Sequence, residues 1–352
     1  MVTESGLKLR KTVPFLLLGV LVFVAYLHFF VGIPEILAII RHVDLFCYGL
    51  AVAVLFLNMA VNSLTWQYLL SPLSVKVSFR KNFLFTWIGF FVDLLVPAES
   101  ISGDATKAYL MTKESNENGG KVLASVVSHR ILLMVTALVS LIVSFVWLYV
   151  LNIEVPVLVS GLVLLIIVGT AVSLFFIFLF SLKERLAQKL IDAVLRFVSF
   201  VTRGRLDIDR LRATAVKALS AFHGSIDVLL RKPRSLVLPI VFSVIGWFFS
   251  VLLSYLVFVS LGQHVDFAVI VVVHSVSMSI QSIPLGIPGE VGVVDTAMTW
   301  LFTLLTVESV VAAAATVLIR LLWVWLRIAI GFVAVQWIDL KDLAEHLRKD
   351  LL

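Results

Sequence analysis

Six apolar runs fix most of what this chain can become: Val13–Val31, Leu45–Leu64, Leu123–Leu151, Val157–Phe180, Leu236–Ser260 and Val310–Trp337. Each supplies the roughly 17–25 residues that a helix needs to cross about 30 Å of hydrocarbon. The chain is 61% hydrophobic and only 14% charged, against about 45–50% and about 25% in soluble domains. A soluble globule could not cover that much apolar surface, and a disordered chain would not carry it. The fold class is therefore an all-α polytopic integral membrane protein. Two further apolar stretches do not fit a simple span. Residues 82–96 are short, carry Asp93 and end at Pro97; residues 267–305 are broken by Pro284-Leu285-Gly286-Ile287-Pro288-Gly289-Glu290-Val291-Gly292. Such breaks free backbone N–H and C=O groups, which lipid cannot satisfy. They belong where the backbone is buried in protein or lines a cavity.

The charges supply the topology. Of 352 residues, only 28 are Lys or Arg and 22 are Asp or Glu. Seventeen of these charges lie between Lys183 and Arg234, twelve basic against five acidic. Lys8, Arg10 and Lys11 precede the first run, and no small-residue cleavage site closes that run, so it reads as an uncleaved first helix with a cytoplasmic N-terminus. Lys76, Arg80 and Lys81 then place the link after the second run inside. If residues 82–96 crossed fully, the basic block at 183–234 would land outside. If they dip in and return, the block lands inside, as the positive-inside rule requires. The expectation is a single membrane domain over 1–352 in the plasma membrane. It comprises a first half over 13–180 with a re-entrant segment at 82–110, a cytoplasmic basic block at 181–234, a second half over 235–337 with a broken hairpin at 267–305 entering from the outer face, and a cytoplasmic tail at 338–352. The block itself carries two helical stripes, Leu182, Leu186, Leu190, Val194, Phe197 and Val201, then Ile208, Leu211, Ala215, Leu219, Phe222, Ile226 and Leu229, with Gly204 between them. These helices either lie on an anionic membrane surface or pack beneath the bundle. The net charge of +6 reflects this bias and gives no reason to expect nucleic-acid binding. The lone Cys47 excludes a disulfide framework, and no spacing suggests a metal site or a cofactor.

The two broken segments resemble each other. Pro97, Glu99 and Asp104 align without gaps to Pro288, Glu290 and Asp295, and a long helix with an embedded arginine follows each: Arg130 is 26 residues after Asp104, and Arg320 is 25 after Asp295. In the topology above the two sets run in opposite directions, the inverted repeat that many secondary transporters use. Arg130 lies about 14 Å past Lys121, and Arg320 about 16 Å past Ser309, so both fall near mid-bilayer. An arginine there costs at least about 2.5–3.5 kcal/mol unless it is paired or hydrated. Either the two arginines line a polar cavity and hold a phosphate, which suits guanidinium geometry, or each pins its hairpin through an acid. The two readings are compatible. Arg327 sits further along and is expected to snorkel; His129 and His274 are expected to be satisfied core histidines; Asp93 is expected to cap or pair. Trp147, Trp300 and Trp337 suit the interfacial belts.

At these same residues the chain resembles the flippase-like transmembrane domain of lysylphosphatidylglycerol synthases, a family that also includes stand-alone membrane proteins. The family has a Gly-Asp/Glu-x-x-Arg/Lys-Ala-Tyr element after a proline, which here reads Gly103-Asp104-Ala105-Thr106-Lys107-Ala108-Tyr109. Its following helix carries Ser-x-x-x-Glu-Arg-x-x-Asp; here Ser125 and Arg130 are kept while His129 and Leu133 replace the acids. Its late Pro-Gly-Gly-x-Gly-x-x-Glu element becomes Pro288-Gly289-Glu290-Val291-Gly292-Val293-Val294-Asp295, with Glu290 in place of a glycine. The last helix keeps Arg320 but has Arg327 where the family often has proline. The resemblance implies movement of a lipid headgroup between leaflets. It also implies no synthase or transferase activity from this chain, because only Asp339–Leu352 follows the last run and twelve residues precede the first.

The expected function is thus a translocator, flippase or scramblase, for an anionic phospholipid or a polyprenyl-phosphate-linked glycan. Its substrate-binding candidates are Arg130, Arg320, Glu99, Asp104, Lys107, Tyr109, Glu290 and Asp295, on a hairpin backbone shaped by Pro97, Gly103, Pro284, Pro288, Gly289 and Gly292. One rival is a non-catalytic membrane partner of a separate lipid-modifying enzyme or glycosyltransferase, docking through 183–234. The other is a membrane-embedded enzyme built on the four acids, for which no activated nucleophile is visible.

Overall fold

A computed structural model describes residues 33–95, 101–201, 208–281 and 287–350. The expected first span at 13–31, Pro97, Glu99 and Pro284 lie outside the described residues. Within them the chain is helical throughout, with short 3-10 and π turns and no strand. Five helical stretches are long and apolar enough to cross a membrane: Leu45–Leu73, Gly119–Val150, Val157–Leu182, Pro233–Ser260 and Ser309–Ile338. They coincide with the last five of the six expected runs. Much of their apolar surface faces outward, including Val139, Val143 and Val146, and Leu164, Leu165 and Val168. That is what lipid contact requires and what a soluble domain would not tolerate.

A short helix, α1 (Ile33–Ile40), buries Ile36 and leads through Asp44 into α2 (Leu45–Leu70). The Asp44 carboxylate accepts from the Phe46 and Cys47 amides and so caps the helix. The 71–78 link reverses the chain into α3 (Phe79–Leu95), and α4 (Ile101–Ser115) returns against it. The pairing is antiparallel from base to tip. Lys81 meets Glu114 at 2.6 Å at the open end, and the Gly103 amide donates to Asp93 at 2.6 Å near the tip. At 17 and 15 residues these two helices are about 26 and 22 Å long, and they pack as a hairpin whose turn lies outside the described residues.

Helix α5 (Gly119–Val150) follows and α6 (Val157–Leu182) returns beside it. The basic block forms α7 (Glu184–Val201) and α8 (Ile208–Arg231), packed on each other. Helix α8 docks under the bundle: Phe222 and Ile226 are buried against Ala124 of α5, and Leu229 joins the cluster around Trp66, Val122 and Val126. Helix α7 keeps Leu186, Leu190 and Val194 exposed. The alternative of packing beneath the bundle therefore describes α8.

The second half begins with α9 (Val237–Ser260), then α10 (Phe267–Gln281) and α11 (Val293–Leu304), which pack together as a second hairpin around the broken segment. The last span comprises α12 (Ser309–Arg320), a π-helical turn over Leu321–Leu326, and α13 (Arg327–Asp350). The two halves meet most closely where α2 lies antiparallel to α9. Asp44 N–H donates to the Ser260 carbonyl, Asn58 donates to the Gly246 carbonyl at 2.7 Å and to Ser250 at 2.9 Å, and Tyr68 stacks on Phe242. These are the opening helices of the two segments expected to form the repeat. The largest buried cluster fills the second half, with Val269–Val273 and Ala312–Ala315 at its centre.

Candidate functional site

The turn of the second hairpin meets the last turn of α3 in the first. The turn at Pro288–Glu290 packs on α3, and a Cβ placed on Gly289 would stand 3.5 Å from Leu94 and 3.3 Å from Val324 of the π turn. Gly289 and Gly292 have φ of 58° and 93°, left-handed values that favour glycine. Glu290 also has a positive φ of 42°, in the position where the resembled pattern has glycine. Gly103 serves closeness instead: a Cβ there would collide with the Gly89 carbonyl and Asp93.

Around this junction each repeat ties its arginine to its aspartate, with different results. In the second half Arg320 Nε donates to Asp295 at 3.1 Å, and a terminal nitrogen donates to the Gly289 carbonyl. The other Asp295 oxygen accepts the Gly292 amide at 2.8 Å, closing the start of α11. Arg320 is only 4% exposed. This is a closed structural pair that pins the hairpin turn to the last span. In the first half Arg130 reaches Asp104 at 3.5 Å, and Lys107 reaches the same carboxylate at 2.7 Å. Here the Arg130 side chain is 35% exposed, so the pair is open. Lys107 lies over Trp66 and Phe90, with its ammonium 5.7 and 5.9 Å from the ring centres. Asp93 accepts from Ser102 at 3.0 Å and from the Gly103 amide, so it caps α4 as one of its two expected roles.

The structure thus brings Asp104, Lys107 and Arg130 together, and separately Asp295 and Arg320. Tyr109 is exposed on α4 and joins neither group. Glu290 is buried, and its Oε2 has no hydrogen-bond partner. Arg327 does not snorkel: it is 7% exposed, with its guanidinium over Phe90 and Trp323. His129 and His274 are buried, but His129 Nε2 has no partner, so the expected satisfied histidine holds only in part. Among the described residues no cluster of His, Cys, Asp and Glu has the makings of a metal site. An open concavity of about 580 Å³ lies against the 71–78 turn, lined by Gln67, Tyr68, Ser71, Lys76 and Ser78, and neither repeat arginine lines it. Sequence reasoning missed Phe90 and Trp323. Their aromatic identity was visible, but the cation each would face was not.

The model of the lysylphosphatidylglycerol synthase TM region matches residues 16–331, nine-tenths of the chain. The chain belongs to this family. Among its relatives, the UPF0104 membrane protein PH1989 of Pyrococcus horikoshii is 27% identical over 312 residues, 86% of this chain and 90% of that one. A UPF0104 membrane protein of Methanothermobacter thermautotrophicus is 26% identical, covering 87% of this chain and 90% of its own length. MJ1595 of Methanocaldococcus jannaschii is 24% identical over 93% of this chain and 95% of its own. The match spans both hairpins, four of the five described membrane-long helices and the fifth as far as residue 331, so the Asp104–Arg130 and Asp295–Arg320 pairs are features of a member of this family.

Proposed function

We propose that this chain is a carrier that moves an anionic lipid between membrane leaflets, either a phospholipid or a polyprenyl-phosphate-linked glycan, and that it is not an enzyme. One observation carries the reading: Arg130, more than a third exposed, and Lys107 share the Asp104 carboxylate beside the point where two broken hairpins meet. A charged cluster inside an apolar bundle is costly unless it has a task, and in membrane proteins such residues mark substrate pathways. Broken segments from two opposed halves, meeting within the bundle, are the construction used for substrate sites in alternating-access carriers. Guanidinium and ammonium groups around one carboxylate can exchange that partner for a phosphate with little net change in charge pairing. The family description, which names a lysylphosphatidylglycerol synthase, agrees with a lipid phosphate as the group bound. Arg320 has no part in this step, because Asp295 and the Gly289 carbonyl already occupy it.

The test is reconstitution in liposomes containing a labelled anionic lipid, with transbilayer movement followed by a membrane-impermeant quencher. Arg130→Ala and Lys107→Ala are each expected to slow movement by roughly tenfold or more, the loss of about one charge-assisted contact worth 1.5–3 kcal/mol. No movement of any anionic lipid tried, or movement indifferent to both changes, would sink the proposal.

A further inference from the structure

We infer that Arg327, with Trp323 and Phe90, forms a second and deeper site for an anionic phosphate group. The inference rests on the carrier reading only for the identity of the lipid that brings the phosphate.

Arg327 is buried, yet it makes no ion pair with any described carboxylate, and its Nε–H has no hydrogen-bond partner. A guanidinium cannot discharge itself by losing its proton. Its guanidinium carbon stands 4.4 Å from the centre of the Phe90 ring and 3.9 Å from that of Trp323. Two aromatic faces return less than a buried and uncompensated charge costs. The Trp323 indole N–H is also buried without a partner. Two buried donors without partners therefore lie on neighbouring side chains, one of them cationic, and no described residue supplies either with an acceptor.

Three described carboxylates of the two hairpins are otherwise engaged. Asp104 holds Lys107 and Arg130, Asp295 holds Arg320, and Asp93 caps α4. Glu290, 2% exposed on the neighbouring turn, has a free Oε2 that accepts from neither donor. Lys107 lies over the same Phe90 ring, its ammonium 5.9 Å from the ring centre. A phosphate or phosphodiester has the several acceptor oxygens and the charge this arrangement lacks.

The backbone supports the assignment. In an unbroken α-helix, residues seven apart lie on nearly the same face. Arg320 and Arg327 are seven apart, but the π turn at Leu321–Leu326 lies between them. Its wider turn rotates the second arginine away from the first, so that Arg320 faces its own hairpin while Arg327 faces Phe90 of the other. Such turns recur at functional sites.

The full-length protein in detergent is tested by thermal unfolding with inorganic phosphate, with phosphatidylglycerol micelles, and with a neutral glycosyl-diacylglycerol that has no phosphate. Phosphatidylglycerol is expected to raise the melting temperature and the neutral lipid to leave it unchanged. A shift with inorganic phosphate as well identifies a site open to the free anion; its absence identifies a headgroup site. In an Arg130→Ala background, which weakens the first site, Arg327→Met is expected to melt no lower without ligand and to lose the remaining shift. Arg327→Lys is expected to keep a shift at several-fold higher ligand, because it retains charge without the planar stack. An Arg327→Met protein less stable than wild type makes Arg327 a packing residue and overturns the site, as does a wild type that no phosphate source stabilises. Should Glu290 be the true partner in another conformation, Glu290→Gln would lower the melting temperature without ligand, which also overturns it. Binding without transbilayer movement in liposomes leaves this site standing and overturns the carrier reading instead.

Discussion

Asp295 and Arg320 illustrate how burial changes the worth of a charge pair. Both are almost sealed from solvent, and Asp295 also holds the Gly292 amide. Arg320→Met would leave a buried carboxylate without its cation, a loss expected to cost about 3–5 kcal/mol. Adding Asp295→Asn to that variant should recover part of the loss, since the amide is neutral; a double-mutant cycle of unfolding midpoints measures the coupling. The equivalent pair of the first half is half open, so Arg130→Ala should cost only about 0–1 kcal/mol in the same measurement. Its effect should appear in lipid movement instead. The spacing of each aspartate from its arginine was readable in the sequence. That one pair is closed and the other open was not, because exposure is set by what the neighbouring helices cover.

At the scale of helices, close packing depends on a few positions without a Cβ. A methyl group at Gly103 would meet the Gly89 carbonyl, so Gly103→Ala is expected to separate α3 from α4 and destabilise by at least about 1–3 kcal/mol. Gly120 holds α8 against α5 in the same way, where an added Cβ would strike the Ala218 carbonyl. Gly224, on α8, has nothing within 4 Å of that position. Gly224→Ala should therefore stabilise by up to about 1 kcal/mol through helix propensity, while Gly120→Ala should release α8, visible as faster proteolysis between residues 202 and 231. Apolar stripes predicted both helices of the basic block. Which of them docks was decided by Phe222, Ile226 and Leu229 finding α5, a long-range contact that periodicity cannot encode.

At the scale of the molecule, the two halves are joined along α2 and α9. A Cβ at Gly246 would lie 3.5 Å from a methyl of Val61, close enough to suggest a cross-link. With Cys47 replaced by alanine, Val61→Cys combined with Gly246→Cys should form a disulfide on mild oxidation. If transport proceeds by one half rocking against the other, the oxidised protein should stop moving lipid and regain movement on reduction. The sequence by itself determined the membrane class, five of the spans now seen, the two interrupted segments, and the acid and arginine that each repeat carries. These follow from local rules: a bilayer needs unbroken apolar length, and a proline- or glycine-broken backbone needs polar company. Only the tertiary structure could set the Pro288–Glu290 turn on α3, spend Arg320 inside its own half, and bury Arg327 between Phe90 and Trp323. Those outcomes depend on the rotational phase of helices far apart in the chain, and one π turn resets that phase without leaving a mark in the hydrophobic pattern.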